Sequence, residues 1–322
     1  MSHMVCTSHS PLMYCYARAP ARWDDIERVF AERRAAVAAF DPELVIMFGS
    51  DHFNGFFLQN MPAFSVGLAA EGVDDIGGFS GTLRVPDALA AECIDYLRAH
   101  DLDPGASYRM RIDHAFTQTI TRMLGGLDAV PLIPLFINCI TPPFVPFRRS
   151  RMLGEAIGHW VAALGKRVLL LASGGMSHHP EHYYPVYGTG PEDVTAWQLT
   201  GGTDPKSMTE QQWLKRLDVM HRDGARMILR GERTRVDMRL NPEVDQRFLE
   251  TLVNGALEEF DLWQPAQVVA SAGVGFMELH TWLAATAAHV AAGGSRPVVD
   301  IYTEAEELGI ALGVIHGDAV RA

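Results

Sequence analysis

The chain is expected to fold as α/β, with three layers (α/β/α) around a central sheet that is largely parallel or mixed. Stretches with helical spacing of apolar residues alternate with short, continuous apolar runs, and each run suits a strand buried on both faces. Size agrees: 322 residues, 48% hydrophobic and 20% charged, are enough for one large α/β domain with a real core.

In chain order, a short strand is expected just before Thr7-Ser8-His9-Ser10-Pro11. Asp24–Phe40 reads as an amphipathic helix, with Ile26, Val29, Phe30, Val37 and Phe40 near helical spacing, and Pro42 punctuates it. Leu44–Phe48 is the first buried strand. The alternation continues with a helix near Pro86–His100, a strand at Pro131–Ile137, a helix near Arg151–Leu164 and a strand at Arg167–Leu171. Residues 181–207, rich in Gly, Pro, Tyr and Thr, then read as a long ordered excursion or lid. Helices are expected again at Thr209–Leu229, Pro242–Leu252 and Phe276–Ala292. No repeat, low-complexity tract or linker divides the chain, so residues 1–322 are read as a single catalytic domain.

The net charge of −12 speaks against a nucleic-acid surface, although one small basic pocket could still hold an anionic ligand inside an acidic protein. No apolar run reaches the roughly 18 residues of a membrane span. The N-terminus shows no charged leader followed by an apolar stretch, so a cytoplasmic protein is expected. Cys6, Cys15, Cys93 and Cys139 form no CxxC pair and are expected as reduced thiols. Ser2-His3-Met4 reads as a cloning remnant, and His3 is given no weight.

Four histidines sit in loops of matching character: His9, His52 after Gly49-Ser50-Asp51, His114 in Arg111-Ile112-Asp113-His114, and His178 after Ser173-Gly174-Gly175-Met176-Ser177. A lone loop histidine is usually a solvated or hydrogen-bonded residue. Two of them directly after buried strands shift the balance towards a shared site, because ligands of an open α/β sheet gather at the carboxyl ends of its strands. Asp51 and Asp113 precede a histidine and serve equally well as helix caps. HExxH, GxSxG and Walker patterns are absent. Scattered histidines plus a carboxylate remain, which is the ligand set of a non-haem iron(II) centre.

Ser8-His9-Ser10-Pro11, Asp51-His52-Phe53-Asn54-Gly55-Phe56-Phe57, Asp113-His114-Ala115-Phe116, Arg151-Met152-Leu153-Gly154-Glu155-Ala156-Ile157-Gly158 and Ser173-Gly174-Gly175-Met176-Ser177-His178 together resemble the class III extradiol dioxygenases, the LigB-like superfamily. The resemblance runs almost continuously from residue 5 to about 180 and returns at Glu278-Leu279-His280-Thr281-Trp282. It implies that His9, His52 and Glu278 bind Fe(2+), and that His114 and His178 move protons, His114 as base and His178 as donor. It also implies a homo-oligomer. Residues 181–240 and those after about 293 depart from the family pattern, as does Gly275-Phe276-Met277 beside Glu278; Glu258 and Glu259 are the alternative carboxylates.

The substrates implied are O2 and a catechol with a short carboxylated side chain, of the 2,3-dihydroxyphenylpropionate type; protocatechuate, gallate and homoprotocatechuate types are the alternatives. The carboxylate needs a cation. Arg148, Arg149, Arg151 and Arg111 are the candidates, although an arginine cluster at a helix start is usually a solvated face. Asp113, His179, His182, Tyr183 and Tyr184 are candidates for the rest of the pocket. Two rivals stand beside this expectation: a zinc-dependent non-oxygenase on the same fold, and a silent binding module. The intact quartet of histidines counts against silence.

Overall fold

The computed structural model describes residues 1–320. In chain order its regular elements are β1 (Ser2–Thr7), α1 (Trp23–Phe40), β2 (Leu44–Gly49), β3 (Phe64–Gly67), β4 (Ala70–Gly72), β5 (Gly81–Thr82), α2 (Asp87–Arg98), β6 (Gly105–Ser107), β7 (Met110–Ile112), α3 (His114–Leu124), β8 (Leu132–Ile137), α4 (Phe147–Ala163), β9 (Val168–Ser173), α5 (Glu192–Thr200), α6 (Glu210–Arg230), α7 (Pro242–Asn254), α8 (Pro265–Ala272), α9 (Leu279–Ala291), β10 (Val298–Ala305) and β11 (Ile310–Gly317).

Eight strands form the main sheet in the order β10-β11-β1-β9-β2-β8-β3-β6, and β5-β4-β7 form a small second one. Its centre is parallel: β1 pairs with β9, β9 with β2 and β2 with β8 in the same direction. The edges turn antiparallel, β11 against β1 on one side and β3 against β8 on the other. The sheet is therefore mixed, with a parallel heart.

Strand pleating sends alternate side chains to opposite faces, and the core divides accordingly. Leu44, Ile46, Phe48, Leu170 and Ile133 pack in the layer that holds α2, α4, α7 and α9. Val45, Met47, Leu169, Leu171 and Leu132 pack in the layer of α1 and α3. The central strands are buried on both faces, which is why they read as continuous apolar runs. On the first face α4 and α9 touch backbone to backbone: a Cβ added at Gly154 or Gly158 would lie 2.1 Å from Ala284 O or 2.3 Å from Ala288 O. This draws α9, and the turn that precedes it, tightly under the sheet.

Some expectations are corrected. Ser2-His3-Met4, given no weight above, is the buried first half of β1, with Ser2 Oγ 3.0 Å from His289 Nδ1. α4 begins at Phe147, ahead of the expected Arg151, because Pro146 can stand before a helix but not within it. His114 is not in a loop; it opens α3. Residues 274–278 are a 3-10 turn ahead of α9. The stretch 181–207 carries α5 and, with α6, encloses a small core of its own: Phe53, Tyr183, Tyr184, Trp197, Trp213 and Leu217. The four cysteines are free thiols.

Candidate active site

Three of the four histidines follow adjacent parallel strands at the same sheet edge, His9 after β1, His178 after β9 and His52 after β2. His114 joins them as the first residue of α3, capped by Asp113, whose Oδ1 accepts from Ala115 N at 2.9 Å. Glu278 closes the cluster from the turn before α9. Gly174 and Gly175 give it room: a Cβ at Gly174 would lie 2.8 Å from Glu278 Cβ, and one at Gly175 would strike the His178 ring at 2.4 Å.

The five side chains are buried together. His9 Nε2 and His52 Nε2 lie 3.5 and 3.2 Å from Glu278 Oε1, and His178 Nε2 lies 3.9 Å from Glu278 Oε2. His114 stacks on His52 with ring centroids 4.4 Å apart. Each imidazole is held through Nδ1. His9 Nδ1 lies 2.8 Å from Ser173 Oγ, itself bonded by Thr119. His52 donates to Asp113 Oδ2 at 3.1 Å, His178 donates to Met176 O at 2.7 Å, and His114 is hydrogen-bonded to Asp75. In every case Nε2 is left as the nitrogen available to a ligand or a proton.

Burial holds the pKa of His9, His114 and His178 at about 4, so these rings are neutral at pH 7. Burial also disfavours charge on His52, but Asp113 and Glu278 outweigh it and hold that ring well above the usual imidazole value. Burial would raise the Glu278 carboxyl; His9, His52 and His178 overcome it and hold the group ionised.

Two trios of donors approach one another closely enough for a metal, His9/His52/His114 and Asp75/Asp113/His114. The carboxylates of the second are already bonded, Asp113 to His52 N and Asp75 to His114 N at 2.7 and 3.0 Å. Glu278 Oε1, by contrast, is buried without a hydrogen-bond partner among the described residues. Its nearest positive charge is the His52 ring at 3.2 Å, and a divalent cation bound between the imidazole nitrogens and this oxygen would take over that role. His9, His52 and Glu278 thus fit a divalent metal of the kind that two histidines and one carboxylate hold.

A family model described as the catalytic LigB subunit of aromatic ring-opening dioxygenase matches residues 3–303. Among curated proteins, one from Mycolicibacterium vanbaalenii named 2,3-dihydroxyphenylpropionate/2,3-dihydroxicinnamic acid 1,2-dioxygenase is 40% identical over 318 residues, covering 99% of this chain and 96% of its own. Proteins of that name from Dechloromonas aromatica (36%, 97% of each chain) and Escherichia coli (38%, 92% of this chain and 91% of its own) agree. The chain belongs to the LigB family of aromatic ring-opening dioxygenases.

A solved structure of an uncharacterized Escherichia coli K12 protein covers 98% of each chain at 14% identity and a TM-score of 0.46, too distant to carry an inference. Within this LigB-family dioxygenase, one cavity of about 30 Å³ touches His9, His52, His114 and His178 and is closed by Tyr183, Tyr184, His221 and Arg233. A second, of about 920 Å³, is walled mainly by apolar residues such as Phe53, Met61, Ile140, Phe144 and Leu199. Tyr184 and Pro180 line both.

Of the other candidates from the sequence, Tyr183 lines the small cavity and His179 the large one. His182 is half-buried and lines neither. Asp113 is fully buried behind His52 and positions that ring rather than facing a substrate. The arginines are elsewhere: Arg151 pairs with Asp261 and Glu155, Arg148 lies 3.9 Å from Asp261, Arg149 bonds Asp101 O, and Arg111 pairs with Glu210. None lines either cavity. Glu258 and Glu259 are exposed on a turn. Asp51 caps its own loop through Asn54 N, Gly55 N and Phe56 N. Asp75, His221 and Arg233 were missed. His221 sits on an amphipathic helix and reads as core, and the other two lie in acidic or charged loops with no motif.

No helix among the described residues is long and apolar enough to cross a membrane.

Proposed function

We propose that this dioxygenase binds iron(II) through His9, His52 and Glu278 and opens the ring of a catechol bearing a short carboxylated side chain, of the 2,3-dihydroxyphenylpropionate type. Cleavage falls beside the diol, and both oxygen atoms of O2 enter the product. The observation that carries the metal assignment is the orphaned Glu278 Oε1 between two imidazole nitrogens. The substrate class is supported by the names of relatives at 36–40% identity over nearly the whole chain.

Iron(II), when bound, supplies coordination positions and an electron path between an electron-rich catecholate and O2. The chain's own residues handle protons and access. His114, neutral at pH 7, takes a proton from a substrate hydroxyl on Nε2, while Asp75, whose carboxyl is pushed well above the usual range by burial and by Asp113, holds Nδ1 and fixes the ring. His178 has its Nδ1 proton committed to Met176 O, so its Nε2 first accepts a proton and then returns it as the ring opens. Burial of the cluster keeps bulk water away from the reacting atoms. The space of about 30 Å³ admits roughly one water, so a catechol needs Tyr184 to yield towards the large cavity. In the same proposal residues 1–322 act as one catalytic domain, the 181–207 stretch is the lid, and the protein works in the cytoplasm as a homo-oligomer.

The test is to load the protein anaerobically with iron(II) or with zinc, add 2,3-dihydroxyphenylpropionate, and admit air. The coloured ring-opened product is expected with iron alone. Its absence with every catechol tried would overturn the proposal.

A further inference from the structure

We infer that Arg233 anchors the anionic group of the substrate; this rests on the ring-opening proposal and adds the residue that selects the side chain. Arg233 follows α6 and is 6% exposed. Its Nη1 donates to Tyr183 Oη at 2.6 Å, its Nη2 donates to His179 O at 3.0 Å, and the guanidinium lies 4.8 Å from the Tyr183 ring centroid. All of these partners are neutral, and among the described residues no Asp or Glu oxygen comes within 4.0 Å of it. Among the part-buried arginines, Arg33, Arg122 and Arg151 have a carboxylate at 3.7, 2.9 and 2.6 Å, whereas Arg216 and Arg239 donate to the carbonyls of Tyr183 and Val269; Arg233 is more buried than any of these. The nearby Asp237 is turned to Thr234, accepting from its N and Oγ1 at 2.8 Å.

A buried cation without a counter-ion is costly, and the cost is relieved when a ligand brings the negative charge. Arg233 has such a ligand within reach, because it lines the cavity that also touches His9, His52, His114 and His178. Tyr183 lies between Arg233 and His221, stacked on the latter at 3.9 Å, and fixes the fork. His221 Nε2 and Tyr184 Oη are buried without partners in the same wall, ready to complete the polar contacts. A planar carboxylate is the anion that a guanidinium fork binds best.

The experiment compares opening of 2,3-dihydroxyphenylpropionate and of 3-propylcatechol, its uncharged counterpart, by the iron-loaded enzyme. The ratio of the two kcat/KM values is taken within each variant, so a general loss of activity cancels. Arg233→Met is expected to lower the ratio roughly 10- to 150-fold, the range for one charge-assisted hydrogen bond, and chiefly through KM. Arg233→Lys, which keeps the charge but not the fork, should restore only part of it. An unchanged ratio in Arg233→Met overturns the inference. If that variant does not fold, the unmodified enzyme still decides: 3-phenylpropionate should inhibit opening of 3-propylcatechol at least about 10-fold more tightly than 3-phenylpropan-1-ol does. Equal inhibition by the two means no anion site and overturns the inference. Opening of neither catechol is a different result, which overturns the ring-opening proposal and this inference with it.

Discussion

At the scale of single residues, the proposed reaction divides the site into groups that would hold a metal and groups that would move protons. Each set has its own signature. His9→Ala or His52→Ala should abolish stoichiometric iron binding while circular dichroism stays native, whereas Glu278→Gln should weaken it. Iron content unchanged in both histidine variants would remove them from the site. His114→Ala and His178→Ala should keep their iron and lose roughly 10²- to 10⁴-fold in kcat, the usual share of acid–base catalysis. Metal lost from the His178 variant would make it a ligand instead. The histidines were legible in the sequence because each lies in a short motif set by local turn chemistry; Glu278 came only from the family resemblance, with its neighbours departing from the pattern. Asp75 was not, because it meets His114 across 39 residues, and nothing local marks it. The same holds for Arg233, which reaches Tyr183 across 50 residues.

At the scale of elements, the glycines after β9 and the packing of the 181–207 stretch do most to shape the site. Gly174 leaves space that any Cβ would take from Glu278. Gly174→Ala should therefore lower iron occupancy in proportion to activity, and a variant with full occupancy would show that the glycine is not there for clearance. Trp197 donates to Phe53 O at 2.8 Å and stacks on Trp213, pinning the stretch over the site. Phe53 itself takes φ 59°, a conformation disfavoured for a bulky side chain, immediately after His52. Trp197→Ala should cost about 3–5 kcal/mol of stability and raise KM more than it lowers kcat, as judged by denaturant unfolding and steady-state kinetics. The buried strands and amphipathic helices were legible because periodicity reports burial directly. Helix α3 was not, because the Asp113-His114 motif that opens it reads as a loop histidine and the helix runs only eleven residues before Gly125. The β10–β11 hairpin was not legible either, since β10 is only partly covered.

At the scale of the whole molecule, the parallel heart of the sheet brings three loop histidines to one edge, while the opposite end of β1 is closed by a buried histidine. His289 is bonded to Ser2, and burial lowers its pKa to about 4. A depressed histidine contributes stability above its unfolded pKa near 6.5 and loses it as pH falls towards the folded value, so acid destabilises the fold. Between pH 7 and pH 5 the loss from this group is on the order of 2 kcal/mol. Tm should fall over that range, and His289→Gln, which keeps a hydrogen bond without titrating, should fall less. An equal fall in both would clear His289 of the effect. The fold class and sheet character were legible in the sequence because they depend on order and period; the identity of the anion-binding residue was not, because it depends on which loops meet. The central claim is that this fold delivers both atoms of O2 to a catechol ring beside its diol. The most direct measurement is a single turnover of the iron-loaded enzyme with 2,3-dihydroxyphenylpropionate under ¹⁸O2, quenched before carbonyl exchange and read by mass spectrometry. Label is expected in both new oxygens of a product opened beside the diol. Label in one oxygen or none, or a ring opened between the hydroxyls, would contradict it.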